Sequence, residues 1–419
     1  MTKITTFNLM QSFSSTLYSE DFKILMRKAE TAFTRTRKMP FCDIIFFILS
    51  AQNRAVQTEL DEYFSKKGSD TVSRQAFAKT RENLKHEAFI YLNDELIQKF
   101  EREDGEIATY RGFRLFSTDG TVIDLPNTQE MQQRYGYSSN STDKIYAKGL
   151  AITVFDVLNG LTIFAELGRY DGSEKRRMLD IAEDFAQLDY EKSIWLLDRG
   201  YPSFELFSCF EANKQNYVVR VQTNCLREVS AASQPDQVVT VTRKGVTLDL
   251  RVVCISLDSG EEEKLVTNLP SDFTVEELQA LYMKRWGIET NYRFLKQKAV
   301  VEVFTGETNT AVLQDFHATI LLMNIATIAW REQADILREG KKKIQKNEYF
   351  PNKSKLIQDI KRDFVQLILC DNLASHVYKQ LRLYSRIKRY AYHLSYCKSF
   401  PRYSPGGKAR RATHPKASL

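Results

Sequence analysis

The sequence has little glycine and proline and no closely spaced cysteine pair. Its 419 residues include 17 glycines and 9 prolines, about half of the roughly 12% that these residues contribute to an average protein. This scarcity excludes collagen-like and low-complexity chains. The 6 cysteines form no Cys-x-x-Cys pair, which argues against a zinc ribbon and a disulfide scaffold. We therefore expect a globular protein of two or three domains in a reducing cytoplasm.

Uninterrupted hydrophobic runs are also missing. The first 13 residues contain no apolar core of signal-peptide length, so export is not expected. The two most apolar stretches, residues 41–51 and 311–330, are interrupted by polar side chains such as Asp43 and His317. Both indicate buried helices, and no association with a membrane is expected. The absence of a P-loop, a Gly-x-Ser-x-Gly elbow and a His-Glu-x-x-His motif excludes nucleotide-driven, esterase and zinc-protease functions.

Positive charge is concentrated in the C-terminal part of the chain, although the net charge is only +7. Residues 331–419 contain 21 Lys+Arg and 7 Asp+Glu, a net charge of +14, so residues 1–330 carry −7. Residues 379–419 contain 11 basic residues and no acidic one. Such a segment releases counterions when it lies along a phosphate backbone, which makes nucleic acid the first partner to consider. A solvated tail would have the same composition.

The first zone, residues 1–105, has a helical pattern. Ser73 is a helix-capping residue and follows a turn around Gly68, so two helices with a short connection are predicted there. This arrangement is typical of a helix-turn-helix DNA-binding domain. The predicted DNA-reading residues are Arg74, Gln75, Lys79 and Arg81. An ordinary helical hairpin with a solvated basic face would show the same pattern.

The second zone, residues 106–330, alternates between strand and helix patterns. Strands are predicted at residues 113–117, 149–157, 162–166, 193–197 and 217–221, with helices at 173–188 and 203–214. This order predicts an α/β domain with a mixed sheet flanked by helices. Residues 223–273 are predicted to be a β insertion, and one long helix is expected from residue 274 to about 298. The third zone, residues 331–419, is predicted to be a basic helical region ending in a tail.

Polar residues recur along one face of the predicted helix 274–298. At 100° per residue, Tyr282, Arg285, Glu289 and Lys296 share a stripe about 60° wide, and Arg293 lies close to it. One carboxylate among cations and a phenol suits a site that handles a metal ion and a phosphodiester, because the carboxylate ligates the metal and arginine grips phosphate oxygens. A salt-bridged, solvated helix would give the same pattern.

The spacing Tyr282-x2-Arg285-x3-Glu289-x6-Lys296 resembles the YREK signature of bacterial insertion-sequence transposases of the IS-four family. Residues 117–121, STDGT, resemble the first-aspartate motif of that family, and residues 195–201, WLLDRGY, resemble its second. The motifs occur in family order, and the resemblance extends from about residue 40 to 330. Asp119 follows directly on one predicted strand and Asp198 ends another, so both are expected to project from strand ends into one cleft.

The resemblance implies an RNase H-like catalytic domain of the DDE type. Asp119, Asp198 and Glu289 would then be the catalytic residues and the ligands of two Mg²⁺ ions, with Mn²⁺ able to substitute. Contacts with DNA phosphates are implied for Tyr282, Arg285, Arg293 and Lys296. The implied reaction is cleavage at the ends of an insertion sequence and transfer of the 3′-hydroxyl ends into target DNA. A homodimer on DNA, in the bacterial cytoplasm and at the nucleoid, is expected because two ends are cut in concert.

Two other functions are compatible with the same sequence. A transposase-derived DNA-binding protein, such as a repressor, would keep the fold without catalysis, and a stand-alone RNase H-like nuclease would cut DNA without joining it. The sequence also departs from the family in one respect. Parts of the family hold a flipped base on an aromatic of the β insertion, whereas residues 218–272 contain no Phe, Tyr or Trp. Either the flipped base is held elsewhere, with Trp286 near the polar stripe as a candidate, or this protein does not use a hairpin intermediate of that kind.

Overall fold

The computed structural model describes residues 5–35, 37–51, 54–104, 107–139, 144–188, 190, 192–222, 225–256, 262–299, 301–339, 349–350, 352–368 and 392–393. The predicted basic tail, residues 379–419, lies outside these ranges except for residues 392–393. The contribution of this tail to DNA binding therefore stays a prediction.

The helices, in chain order, are α1 (Thr5–Tyr18), α2 (Glu20–Met26), α3 (Phe41–Ser50), α4 (Val56–Lys67), α5 (Arg74–Arg81), α6 (Glu87–Asp104), α7 (Gln129–Tyr135), α8 (Glu174–Ala186), α9 (Phe204–Ala212), α10 (Arg227–Ser230), α11 (Val275–Met283), α12 (Trp286–Phe294), α13 (Asn309–Glu339) and α14 (Lys353–Ile368). The strands are β1 (Arg114–Asp124), β2 (Tyr137–Ser139), β3 (Ile145–Asp156), β4 (Leu161–Arg169), β5 (Ser193–Leu197), β6 (Asn216–Val221), β7 (Asp236–Arg243), β8 (Val246–Ser256), β9 (Glu262–Thr267), β10 (Tyr349–Phe350) and β11 (Tyr392–His393).

The chain divides into two compact units rather than into three consecutive zones. One unit combines residues 1–104 with residues 298–419, and the other comprises residues 105–297. The predicted boundary at residue 330 is different, because α13 packs against α1, α3, α6 and α14 and so belongs to the first unit.

The first unit is helical, and its core contains two strongly apolar helices. In α3, the side chains of Ile44, Ile45 and Phe46 are completely buried. In α13, the segment Asn309–Glu332 is long and apolar enough to span a membrane, yet 89% of its most apolar window is buried inside the protein. Burial on this scale is typical of a core helix, as the polar interruptions in its sequence predicted.

The predicted pair of helices around Gly68 is present as α4 and α5. Gly68 caps α4 with a φ of 68°, a left-handed conformation that glycine adopts without strain. Ser73 caps α5, because its hydroxyl accepts a hydrogen bond from the backbone N–H of Ala76. The side chains of Arg74, Gln75 and Lys79 on α5 are exposed. A role for these residues in reading DNA stays a prediction.

The prediction that Arg81 reads DNA is wrong, because this side chain is only 2% exposed. Its Nε donates to Gln314 Oε1 at 2.8 Å and its Nη1 to Thr305 Oγ1 at 2.7 Å. Its Nη2 donates to the Ala311 carbonyl at 3.2 Å and to Asp315 Oδ1 at 2.7 Å. A guanidinium committed to four bonds in the core cannot reach a base, so Arg81 joins α5 to α13 instead.

The second unit contains a sheet in which nine strands are described, with β4, β3, β1, β5 and β6 side by side in this order. Strand β3 runs antiparallel to both β4 and β1, whereas β1, β5 and β6 are mutually parallel. Helix α8 connects β4 to β5, and α9 connects β5 to β6. Three antiparallel strands followed by two parallel strands with helical crossovers form an RNase H-like fold, which confirms the predicted fold class.

The predicted β insertion continues the central sheet. Strands β7 and β8 form a hairpin, and β9 pairs with both β8 and β6. Lys244 and Gly245 at the hairpin turn have φ values of 50° and 81°, as in a type I′ turn, whose twist matches that of the strands. All of these strands lack aromatic side chains, so in the described part of the insertion no ring is available for stacking on a base.

The single long helix predicted from residue 274 to 298 is broken. Thr274 starts α11 with a capping box that includes Glu277, as its sequence suggested. At Lys284 and Arg285 the backbone N–H groups bond to carbonyls three residues earlier, so the helix tightens before α12 begins. A π-helical turn, Leu295–Ala299, follows α12. The apolar side of these helices, with Leu281 and Ile288 completely buried, forms part of the core of the unit.

Candidate active site

Asp119 lies within a strand rather than after one. Strand β1 continues to Asp124, and Asp119 pairs there with Thr153 of β3, so the predicted strand end at residue 117 was too early. In the parallel register, Ser117 lies opposite Leu196. Asp119 and Asp198 each come two residues later, so they reach the same level on adjacent strands, which are about 4.8 Å apart. The expected neighbourhood of the two aspartates therefore follows from the register.

Asp198 directly follows β5, all five residues of which are buried. The Tyr282 hydroxyl donates a hydrogen bond to Asp198 Oδ1 at 3.0 Å. Burial raises the pKa of Asp198, but the Arg199 backbone N–H, the charge of Arg285 and the Tyr282 hydroxyl lower it. The net result is a pKa below the usual range of an aspartate. Asp198 is therefore held as a carboxylate, the form that ligates cations.

Arg285 connects Asp198 to Glu289. This arginine is 3% exposed, and its Nη2 lies 2.9 Å from Glu289 Oε1 and 4.0 Å from Asp198 Oδ2. Its guanidinium carbon also lies 5.6 Å from the centroid of the Tyr282 ring. The structure thus brings Tyr282, Arg285 and Glu289 together with Asp198, in an ion-pair network at the end of the parallel strands.

Tyr292 fixes α12 to the sheet beside Asp119. Its hydroxyl accepts hydrogen bonds from the Thr153 backbone N–H at 3.1 Å and from Thr153 Oγ1 at 2.9 Å, and it donates to the carbonyl of Asp119. Gly287 allows α12 to approach closely, since an added Cβ there would meet the Val157 side chain at 3.1 Å. Glu289 belongs to the same helix, so this docking also fixes the position of the third predicted catalytic residue.

The environment of Asp119 raises the pKa of its carboxyl group, whereas the environment of Asp198 lowers the pKa of that residue. Burial raises the pKa of Asp119 to about 6, the Gly120 backbone N–H and Arg285 oppose the change, and the charges of Glu174 and Glu289 add to it. A carboxylate that is destabilised by burial and by neighbouring negative charges gains more than an exposed one from a bound cation.

The remaining residues of the predicted polar stripe lie further along the chain. Arg293 is exposed on α12. Lys296 lies in the π-helical turn, and its Nζ donates to the backbone carbonyl of Val122, three residues beyond Asp119 on β1. Trp286, at the start of α12, is 38% exposed, and Arg285 lies over its ring at 5.7 Å. The polar stripe therefore continues beyond the carboxylates and reaches the part of β1 that follows Asp119.

Several other acidic residues of this unit form ion pairs with neighbouring cations. These pairs are Asp124 with Lys148, Asp156 with Arg114, Asp171 with Arg169, and Asp180 with Arg177. Asp156 is completely buried. In the helical unit, His317 was predicted to be a core residue, and it is 7% exposed and stacks on His86 at 5.6 Å.

Sequence reasoning missed two residues beside Asp119. Glu174, the first residue of α8, places its carboxylate against Gly120 and accepts a hydrogen bond from the Tyr201 hydroxyl at 3.1 Å. Tyr201 is 3% exposed. Glu174 lies 55 positions from Asp119 along the chain and in no recognisable motif, so the sequence offered no signal for it. Tyr201 stands in the motif 195–201, but nothing in that motif indicates its partner.

The acidic residues provide oxygen donors, which Mg²⁺ and Mn²⁺ prefer. Within the described ranges, no three His, Cys, Asp or Glu side chains lie close enough to hold an ion as they stand. Arg285 occupies the space between Asp198 and Glu289 and balances their charge. The donor chemistry fits a divalent cation, and the negative charges of Glu174 and Glu289 beside Asp119 favour one.

An RNase H-like sheet defines the structural class of this unit, with one aspartate on a strand, a second directly after the adjacent parallel strand, and a glutamate on a following helix. The profile of the family described as Transposase DDE domain matches residues 110–325, a little over half of the chain. The chain therefore belongs to the Transposase DDE domain family, which confirms the DDE-type assignment. Its narrower placement in the IS-four family stays a prediction.

Individual relatives are distant. A probable transposase for insertion sequence element IS5377 of Geobacillus stearothermophilus is 26% identical over 147 residues, and the match covers 32% of this chain and 39% of that protein. The chain thus spans well under half the length of this relative. A solved structure of a piggyBac transposase synaptic complex with hairpin DNA has 13% sequence identity and a TM-score of 0.45, over 96% of this chain and 86% of that chain.

Proposed function

We propose that this protein is a DNA transposase that cleaves the ends of its own insertion sequence and joins the 3′-hydroxyl ends to target DNA. The observation that carries the proposal is the network in which Arg285 connects Asp198 to Glu289, beside Asp119 on the adjacent strand. Membership of the Transposase DDE domain family supports the same reaction.

In this proposal Asp119, Asp198 and Glu289 hold two Mg²⁺ ions, which Mn²⁺ can replace. When bound, such ions activate the attacking oxygen and stabilise the leaving one during phosphodiester cleavage. Arg285 has a second task in this arrangement. Its guanidinium balances Asp198 and Glu289 in the free chain and offers a planar fork to a phosphate once DNA is present.

Other cations of the same helices would contact the DNA backbone. Arg293 is exposed and Lys296 lies beside β1, so both can approach phosphates on either side of the cleaved bond. Tyr282 keeps Asp198 oriented through its hydroxyl, and the Arg285 guanidinium lies over its ring. These contacts would position the backbone without reading its sequence.

Sequence recognition would come from the helical unit. We assign it to the exposed face of α5 with Arg74, Gln75 and Lys79, and no longer to Arg81. The basic residues 379–419 would add salt-dependent affinity that is independent of sequence. Because two transposon ends must be cut in concert, a homodimer on DNA is part of the proposal.

A cleavage assay tests this function. Purified protein is incubated with Mg²⁺ and labelled DNA that carries the flanks of its own gene. The site variants Asp119→Asn and Glu289→Gln are tested in parallel. The control variant is Asp180→Asn, because this carboxylate lies away from the site and pairs with Arg177 at a distance of 3.4 Å. Discrete cuts at the flank ends by the wild type and the control, absent from the two site variants, are expected. Equal cutting by Glu289→Gln would refute the assigned site.

A transposase-derived DNA-binding protein without catalysis is the second candidate. It is favoured by the absence, within the described ranges, of three carboxylates close enough to hold an ion. Tight, salt-sensitive binding of the flanks without cutting in Mg²⁺ or Mn²⁺ would identify this function. Cutting without strand joining would identify a nuclease.

A further inference from the structure

We propose that Glu174 is a further positioning residue of the catalytic site, which acts through Asp119 to favour cation binding and is itself held by Tyr201. The proposal rests on the proposed function, because it assumes that Asp119 holds a divalent cation.

Glu174 is fixed by the start of a helix. It is the first residue of α8, and the Ser173 hydroxyl caps that helix by accepting from the Arg176 backbone N–H. A capped N-terminus has little freedom, and its partial positive charge stabilises a carboxylate in the first turn. The capped start of α8 therefore fixes the backbone of Glu174, and its side chain extends towards β1.

The carboxylate of Glu174 fits against β1 only because residue 120 has no side chain. A Cβ on Gly120 would lie 2.6 Å from Glu174 Cδ, 2.7 Å from Oε1 and 2.8 Å from Oε2. Contacts this short do not occur, so any other residue at position 120 would displace the carboxylate. Gly120 directly follows Asp119, and its backbone N–H donates to Asp119 Oδ1 at 2.9 Å.

Tyr201, in the turn that follows β5 and contains Asp198, holds Glu174 by a hydrogen bond. Its backbone N–H bonds to the carbonyl of Asp198 at 3.1 Å, which closes the turn after β5, and its buried hydroxyl donates to Glu174 Oε2. Each of the two aspartate motifs, residues 117–121 and 195–201, thus contains one residue that contacts Glu174: Gly120 in the first and Tyr201 in the second. Both of these residues contact Glu174, which gives the two motif positions a common physical purpose.

The charge of Glu174 has no ion-pair partner among the described residues. Within the described ranges its carboxylate makes no ion pair, and its hydrogen bond comes from the neutral Tyr201 hydroxyl. Two carboxylates close together in a partly buried site repel each other, and a divalent cation beside Asp119 removes that repulsion. Loss of the Glu174 charge should therefore weaken cation binding about tenfold, as is typical for residues that support metal ligands.

Cation binding can be measured without DNA and without turnover. Free Mn²⁺ is titrated into the full-length protein and followed by electron paramagnetic resonance, with Glu174→Gln, Glu174→Asp and Tyr201→Phe as the test variants. Asp119→Asn serves as the reference, and Asp180→Asn on the same helix serves as the charge-matched control. Far-ultraviolet circular dichroism checks that each variant is folded.

We expect Glu174→Gln to raise the dissociation constant for Mn²⁺ about tenfold, Glu174→Asp to recover part of the affinity, Tyr201→Phe to cause a smaller loss, and Asp180→Asn to match the wild type. Unchanged Mn²⁺ affinity in Glu174→Gln, with affinity lost in Asp119→Asn, would overturn the inference and leave the proposed function standing. A wild type that neither binds Mn²⁺ nor cleaves DNA would reject both.

Discussion

Replacement of Arg81 by methionine should destabilise the helical unit rather than alter DNA recognition. Arg81 is 2% exposed and bonds to Gln314, Thr305, Ala311 and Asp315. Methionine fills a similar volume but supplies no donor, so the carboxylate of Asp315, itself 8% exposed, would lose its cation. Removal of one partner from a buried ion pair costs about 3–5 kcal/mol.

The lower end of this range applies here, because Asp315 keeps other partners. The Thr305 backbone N–H donates to Asp315 Oδ2 at 2.6 Å, and the Thr305 hydroxyl contacts both carboxylate oxygens. We therefore expect the free energy of unfolding to fall by about 3 kcal/mol. Urea denaturation followed by circular dichroism measures it, and a second change, Asp315→Asn, should recover part of the loss because no unpaired charge remains.

The matched control is Arg74→Met on the same helix. Arg74 is exposed at the first position of α5, so the effect on unfolding should stay within about 0.5 kcal/mol. If α5 reads DNA, the same substitution should weaken binding of the gene flanks in a gel-shift titration. An Arg81→Met protein with wild-type stability and abolished flank binding would refute the structural role of Arg81 and restore its predicted contact with DNA.

Two further changes test the helical core and the docking of α12. Burial lowers the pKa of His317 to about 3, and the nearby His86 adds to the effect. Folding therefore keeps His317 neutral, and the stabilisation that results is complete above the pKa of the unfolded chain, about 6.5. This stabilisation is lost as the pH falls towards 3. His317→Gln should remove about 2 kcal/mol of the stability difference between pH 7 and pH 5 in urea denaturation, and an unchanged difference would contradict the assignment. Tyr292→Phe removes the hydroxyl that joins Thr153 to the Asp119 carbonyl, so unfolding should become easier by about 1–3 kcal/mol and flank cleavage should slow. Normal cleavage with normal stability would show that this bond does not position Asp119.

Features that depend on neighbours in the sequence were predicted well. The caps at Ser73 and Thr274 were identified because a capping side chain bonds to backbone groups two or three residues away. Strand β5, residues 193–197, was predicted with its observed bounds because it is buried on both faces and is therefore continuously apolar. The β insertion was predicted at residues 223–273, and its hairpin turns at Lys244-Gly245, where the glycine adopts a positive φ without strain.

Features that depend on distant parts of the chain were not predictable in this way. Arg81 is a charged residue at a position of α5 where the sequence pattern predicts exposure to solvent. Its burial depends on its ion pair with Asp315, which lies 234 positions later in the chain. Glu174 reaches Asp119 only after β1, β3 and β4 have paired. The end of β1 was placed too early because Asp119 and Gly120 are poor strand residues, although their pairing with β3 keeps them in the sheet.

The break between α11 and α12 accounts for the geometry of the candidate site. Tyr282 near the end of α11 contacts Asp198 after β5, whereas Tyr292 on α12 contacts Asp119 on β1. The turn between these helices bonds three residues back, and such a turn rises about 2.0 Å per residue instead of 1.5 Å. Arg285 stands in this turn, between the segments that serve the two aspartates, and Glu289 follows one helical turn later. The polar stripe calculated for one continuous helix included Tyr282, Arg285 and Glu289, and these three side chains lie together beside Asp198 on the two sides of the break. Their catalytic roles stay a prediction.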